Sequence, residues 1–415
     1  MKTFVYIAII LIILIYKGFT LYLSYLNHKF RKSSLPIGFE DLYDEEKYEK
    51  FQNYHGDNFK LNFRFLIIET LVLLILLVSG FFVWVNQIAI DLTDNLAIQF
   101  LIVLFAYYLV FFIVSLFSKY QSSFFVEEKY GFNKTTKKLF IIDRIKEFFF
   151  TCLFIGGAFY GVFMLYLKAG KLFFILTWAG MIFIMILVNL IYTSVIVPVF
   201  NKLTPLEDSS LRTKINEFAT SVGYNVKKIS IMDASKRSTK LNAFFSGFGK
   251  TKRIVLYDTL VEKLTEEEIV AVLAHEIGHN KHKHIIFNLL QSVVLSSVYI
   301  LGIMLFFNLE IISEAYGFSG INYGFNLIIY FILLEPVMLV LNLFMMKISR
   351  TFEYQADAFA ANNYDANFMK NGLKALAKEN FSNLTPHPLY VKFYYSHPPL
   401  PDRISHIDQL KKDES

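Results

Sequence analysis

Apolar residues run in long blocks through much of this chain instead of alternating with polar ones. Seven blocks are long enough to cross a bilayer core of about 30 Å: 3–25, 62–85, 98–118, 148–167, 172–199, 285–308 and 324–346. Between and after them the pattern changes. Leu211 to Val222 has apolar positions at helical spacing, and Val226 to Met232 alternates like a strand. Leu241 to Gly247 and Arg253 to Tyr257 read as two further strands. Thr265-Glu266-Glu267-Glu268 is a capping box, with acid in the first turn where the helix dipole favours it. The helix it opens is expected to run on toward the sixth block. Past 346, one helix reaches about Ala361 and a second covers about 366–379, followed by Pro-rich turns.

This pattern predicts a mainly α, polytopic membrane protein with a small α/β unit. Residues 1–199 carry five spans and the loops 26–61 and 119–147. Residues 200–284 form a cytoplasmic segment, 285–346 the last two spans, and 347–415 a second cytoplasmic segment. Composition agrees: 55% hydrophobic and 17% aromatic residues, with mean hydropathy +0.44, exceed what soluble domains carry. The N-terminal block lacks an A-x-A-like cleavage site and reads as a retained span. The single cysteine, Cys152, excludes an intrachain disulfide or a Cys-ligated metal.

Charge orients the spans. Lys plus Arg number 7 in 26–61 with Arg64 included, 7 in 119–147, 14 in 200–284 and 9 after 346. The other connections hold none in 86–97, two at Lys168 and Lys171, and none in 309–323. The positive-inside rule puts the basic loops and the C-terminus in the cytoplasm and the N-terminus outside or in a lumen. The net charge of +6 therefore suits an anionic bilayer surface, not nucleic acid. Lys17, Glu69, Asn189, Glu335 and Asn342 lie within spans. Glu69 and Glu335 face either a water-lined interior or a local partner, and Lys17 snorkels or pairs. Gly156, Gly157 and Gly161 read as sites of close helix packing.

The candidate chemistry is His275-Glu276-Ile277-Gly278-His279. Histidines at i and i+4 lie on one face of a helix, so both imidazoles can reach one Zn²⁺. The glutamate between them is placed to take a proton from water. Only 9 of 415 residues are histidine, which makes a chance match rare. Zinc needs a third protein ligand and an open position, and Glu353 supplies a carboxylate. Asp357, one turn on, suits a hydrogen bond to a ligand imidazole. The H-E-x-x-H segment precedes the sixth block and Glu353 follows the seventh, so an antiparallel pair of spans brings both to one membrane face.

These motifs, with Ser396-His397-Pro398-Pro399 and Asp402-Arg403-Ile404, resemble the type I CAAX prenyl proteases. These are zinc endopeptidases that process prenylated proteins and the yeast a-factor precursor. The resemblance covers nearly the full length, including Asn242-Ala243-Phe244. It implies seven helices around a water-filled chamber with a zincin-like cytoplasmic domain. It also implies one Zn²⁺ on His275, His279 and Glu353, with Glu276 as general base. His397 and Arg403 would contact the substrate or the transition-state oxyanion; by spacing alone His397 is unremarkable and reads as well as a turn residue. Asn242 and Ala243 would pair with the substrate backbone, and Asp357 would sit behind a ligand. His284 matches a family position without an evident role, and His282 reads as solvated or structural. The implied partners are the lipid bilayer and a peptide or protein substrate, with or without a C-terminal prenyl group. The membrane would be that of the endoplasmic reticulum or a bacterial inner membrane; richness in Phe, Ile, Lys and Asn hints at the latter, where the natural substrate would not be a CAAX protein.

Two rivals stand beside this reading. An HtpX-like quality-control protease shares the zinc motifs but has fewer spans and lacks the His397/Arg403 tail. A zinc-handling transporter would place its site near the midplane between repeated halves, and no repeat is visible.

Overall fold

The computed structural model describes residues 1–32, 34–224, 226, 228–246 and 253–413. Lys227 and Gly247, expected in strands, lie outside the described residues. Seven helices are long and apolar enough to cross a membrane, the number the hydropathy pattern predicts. The first half comprises α1 (Lys2–Phe30), α2 (Glu45–Val78), α3 (Phe81–Leu92) and α4 (Leu96–Gln121). It continues with α5 (Lys137–Phe150), α6 (Gly157–Ala169), α7 (Phe173–Ile191) and the short α8 (Val197–Phe200). α5 and α6 are one span joined by a wide turn at Thr151–Gly156.

The second block departs from expectation. α2 stops at Val78, not near residue 85, because Gly80 takes a left-handed φ of 76° and the chain turns. The rest of the block forms α3, a separate apolar helix that buries Phe82, Val85 and Ala89. Asn95 then caps α4 by accepting from the backbone N–H groups of Ala97 and Ile98.

The polar segment holds β1 (Leu203–Pro205), α9 (Ser210–Ser221), β2 (Ile229–Met232), β3 (Ala243–Ser246) and β4 (Arg253–Tyr257). The strands form a sheet in the order β1-β2-β4-β3. β2 and β4 are parallel and both outer pairings are antiparallel. Ile254, Val255 and Leu256 of β4 are all buried, as a central strand covered on both faces requires. β3 lies at the sheet's edge, and among the described residues no strand pairs with its outer side.

α10 (Asp258–Lys263) follows β4, and α11 (Glu266–Lys281) opens with the expected capping box between Thr265 and Glu268. α11 does not continue into the sixth span. The chain breaks at Lys283, whose φ is 61°, and α12 (His284–Phe306) starts afresh. After α13 (Glu310–Ala315) comes α14 (Tyr323–Ala360), 38 residues long, or roughly 57 Å at the α-helical rise. α15 (Ala366–Asn380) matches the second predicted C-terminal helix. The expected Pro-rich turns contain two more helices, α16 (Pro388–Tyr394) and α17 (Leu400–Asp413). Pro388 and Pro401 stand at helix starts, where the missing N–H costs nothing.

α14 is the spine. Near its start, a Cβ added at Gly324 would lie 3.1 Å from the Phe100 carbonyl oxygen of α4. In mid-course the Tyr330 ring fills the space over Gly302 of α12. Near its end, Gly278 of α11 sits so close that a Cβ there would lie 3.0 Å from Phe359 Cβ and 3.1 Å from Ala356 Cα. The expectation for Gly156, Gly157 and Gly161 is corrected: a Cβ at any of them would meet nothing within 4 Å. Lys17 of α1 donates to Glu335 of α14 at 2.7 Å, so Glu335 takes the local-pairing alternative.

Candidate metal centre

α11 is buried almost all round. Ile269 to Ala274 and Ile277 pack into the largest hydrophobic cluster together with α9, α15 and the sheet. Beyond its acidic first turn, only its C-terminal turns offer polar groups, and the close approach at Gly278 presses them against α14. Three ligand-type side chains meet there. His275 Nε2 and His279 Nε2 are 3.1 Å apart. Glu353 Oε2 lies 3.4 Å from the first and Oε1 lies 3.3 Å from the second.

These separations fit a bound metal ion. Ligands at about 2.0–2.1 Å around a tetrahedral Zn²⁺ are separated by roughly 3.3 Å, and the three edges here bracket that value. Glu353 is buried, yet its Oε2 has no hydrogen-bond partner. With both Nε2 atoms unprotonated, three lone pairs converge on one point, an arrangement that costs free energy unless a cation sits there. His275 tells the same story. Burial pushes its imidazole down, but hydrogen bonds it donates to the Asp357 and Glu353 carboxylates win and raise it to about 9, so the surroundings favour positive charge. The donor set, two imidazoles and one carboxylate, is that of a catalytic zinc with an open position.

Each imidazole has a partner behind it. His275 Nδ1 is 2.8 Å from Asp357 Oδ1. Asp357 in turn receives a fork from Arg403, Nε to Oδ2 at 2.8 Å and Nη2 to Oδ1 at 2.6 Å. Arg403 Nη2 also lies 3.6 Å from Glu353 Oε2. On the other side, His279 Nδ1 is 2.9 Å from His284 Nδ1, and His284 Nε2 is 2.8 Å from Gln355 Oε1.

Glu276 and His397 face the same cleft of about 550 Å³, which Asn242, Ala243, His275 and Arg403 also line. Burial pushes the Glu276 carboxyl above its ordinary value, against the pull of His275 and His279. That makes it a better proton acceptor than a solvated glutamate. His397 Nε2 lies 3.3 Å from Glu353 Oε1 with most of its side chain exposed. The start of β3 forms one wall of the cleft, and Asn242 lies just before it.

All nine residues singled out in the sequence therefore converge on one cleft and its immediate backing. The structure adds Gln355 and gives His284 a place. Gln355 is an uncharged amide with no motif of its own, and only its neighbour Glu353 marks the segment. His282, by contrast, is exposed and stacks on His284 at 5.5 Å between ring centroids.

Comparison with known proteins gives a consistent answer. Residues 205–411 match peptidase family M48, and residues 24–202 match the N-terminal region of CAAX prenyl proteases with its five membrane helices. CAAX prenyl protease 1 of Saccharomyces cerevisiae is 35% identical over 95% of this chain and 93% of its own. The CAAX prenyl protease 1 homolog of Arabidopsis thaliana is 38% identical over 70% of this chain and 69% of its own. The crystal structure of Ste24p from S. mikatae superposes with a TM-score of 0.91 at 32% identity, covering 97% of this chain and 99% of that one.

Proposed function

The chain belongs to the CAAX prenyl protease family within the M48 metallopeptidases, and from that membership we propose that it cuts near the C-terminus of CAAX-type proteins or peptides. It is a membrane metalloendopeptidase; the finer reading concerns metal, residues, substrate and sidedness. The observation that carries it is the His275–His279–Glu353 cluster, whose His275 lines one cleft with Glu276.

His275, His279 and Glu353 would hold one Zn²⁺. When bound, the ion supplies Lewis acidity that makes water a nucleophile near neutral pH and withdraws electrons from the scissile carbonyl. The protein's own groups do the rest. Glu276 takes a proton from the attacking water and passes it to the leaving amine as the C–N bond breaks. His397, exposed at the cleft, donates to the carbonyl oxygen as it gains charge. Arg403 fixes Asp357, which fixes His275, and its charge adds positive potential beside the developing oxyanion. The substrate runs antiparallel or parallel along β3 from Asn242 and Ala243, as an added strand.

In this reading residues 1–199 and 285–346 hold the bilayer-embedded enclosure. Residues 200–284 and 347–415 are the protease segments on the cytoplasmic side. The loop charges support that sidedness.

The test is mass spectrometry of a farnesylated CAAX peptide with detergent-purified protein, wild type beside Glu276→Gln. The wild type is expected to release the last three residues. The variant should retain its metal and lose turnover by roughly 10²–10⁴-fold. Cleavage of unmodified casein with no action on the farnesylated peptide would instead assign a quality-control protease.

A further inference from the structure

The two imidazoles of the metal cluster are backed differently, and the difference assigns work to two residues that the proposed reaction leaves idle. Behind His275 stands an ionic pair, Asp357 with Arg403. Behind His279 stands an uncharged relay. His284 Nδ1 lies 2.9 Å from His279 Nδ1, and His284 Nε2 lies 2.8 Å from Gln355 Oε1. His284 is 2% exposed and stacks on Phe352 at 4.0 Å between centroids and 10° between planes. The left-handed turn at Lys283 brings His284 back beside His279, five residues earlier.

The relay has one direction that works. Gln355 Oε1 can only accept, so His284 carries its proton on Nε2. His284 Nδ1 is then a lone pair, and it can only accept from His279. His279 must therefore hold its proton on Nδ1, which leaves Nε2 bare and aimed at the shared point with His275 and Glu353. Reversing any link puts the proton on His279 Nε2, where no cation can bind. An imidazole ligand needs such a partner on its second nitrogen to fix tautomer and ring plane.

We propose that His284 and Gln355 are positioning residues that lock the metal-binding tautomer and orientation of His279. This rests on the reading of His279 as a ligand. They contact neither substrate nor the reacting atoms. The chemistry is a passive pair of hydrogen bonds, with no net proton transfer.

The experiment measures zinc stoichiometry and affinity in the full-length, detergent-purified protein by competition with a chromophoric chelator. Thermal unfolding of the chelator-stripped protein is followed alongside. His284→Phe keeps the ring stacked on Phe352 but offers no acceptor. Gln355→Met keeps the length but loses the oxygen. Each is expected to weaken zinc binding by about 10–100-fold, with the stripped protein unfolding as wild type does. His284→Asn places an acceptor oxygen where Nδ1 was, and Gln355→Glu keeps one facing Nε2. Both should stay within a few-fold of wild type. Wild-type affinity in His284→Phe would overturn the relay. So would His284→Asn binding as poorly as His284→Phe, because the site would then need the ring's bulk and not its nitrogen. A wild-type protein that binds no zinc would instead sink the ligand assignment itself.

Discussion

α11 and α7 are both strongly apolar helices, but they are apolar toward different partners. α11 buries Ile269, Val270, Ala271, Leu273, Ala274 and Ile277 against protein on nearly every side. α7 leaves Phe183, Ile184 and Val188 66%, 49% and 41% exposed, a surface that only lipid covers. Hydrophobicity alone does not separate the two cases. Length and ionisable content do: α11 has 16 residues with glutamates in its first turn and two histidines in its last turns, whereas α7 has 19 residues and carries no ionisable side chain. The proposed metal ligands sit in the densely packed region, where a side chain's position is set by contacts on all sides. The spans need only be apolar outward and closely packed where α14 meets its neighbours.

This contrast is open to direct attack. The largest expected effect comes from a paired truncation. Leu273→Ala, in the buried face of α11, should cost about 2–5 kcal/mol of stability and bring down zinc occupancy with it. Phe183→Ala, on the exposed face of α7, should leave thermal unfolding in detergent nearly unchanged. Equal losses from the two would erase the distinction between the regions.

A smaller effect separates two glycines. Gly278→Ala drives a Cβ against Phe359 and Ala356 and should cost roughly 1–3 kcal/mol by overpacking. It should also loosen zinc binding, because the same contact sets the distance from His279 to Glu353. Gly157→Ala meets no neighbour and should stay within about 1 kcal/mol of wild type. Chelator competition and thermal unfolding on both variants decide this; a Gly278→Ala protein with wild-type zinc affinity would show that α14 can shift without disturbing the ligands.

The smallest effect probes how α11 is held. Thr265→Ala removes the side-chain acceptor that caps Glu268 N–H and should cost about 1 kcal/mol. Turnover at saturating metal should be unchanged. A fall in turnover would mean that helix fraying reaches the ligands three turns away.

Much of this is legible in the sequence, and the exceptions have common causes. The seven spans follow from run length, and the H-E-x-x-H pair from i,i+4 geometry. Glu353 requires the combination with Asp357, since an acidic pair alone is ordinary. The features that escape the sequence turn on backbone conformation or on contacts remote along the chain. Gly80 ends α2 at a Ser79-Gly80 pair, a turn signal that a reading by hydropathy over 62–85 passes over. Lys283 adopts a left-handed φ without being Gly or Asn, so the break between α11 and α12 carries no turn signal. Pro388 and Pro401 read as turn residues, yet each begins a helix. Gly156, Gly157 and Gly161 look like packing motifs, whereas the glycines that matter, Gly278, Gly302 and Gly324, are isolated. Closeness between helices is a property of both partners, and one stretch of sequence shows only one.

The outer edge of β3 has a consequence for what such an enzyme can discriminate. A strand edge presents amide hydrogens and carbonyl oxygens, which every polypeptide has, at a fixed repeat of two residues. A chain laid along it is held without being read. For a substrate held there as proposed, selectivity would have to come from pockets beside the edge or from distance, from how far a cleavable bond lies from whatever anchors the chain's end. The edge by itself measures length and is indifferent to spelling.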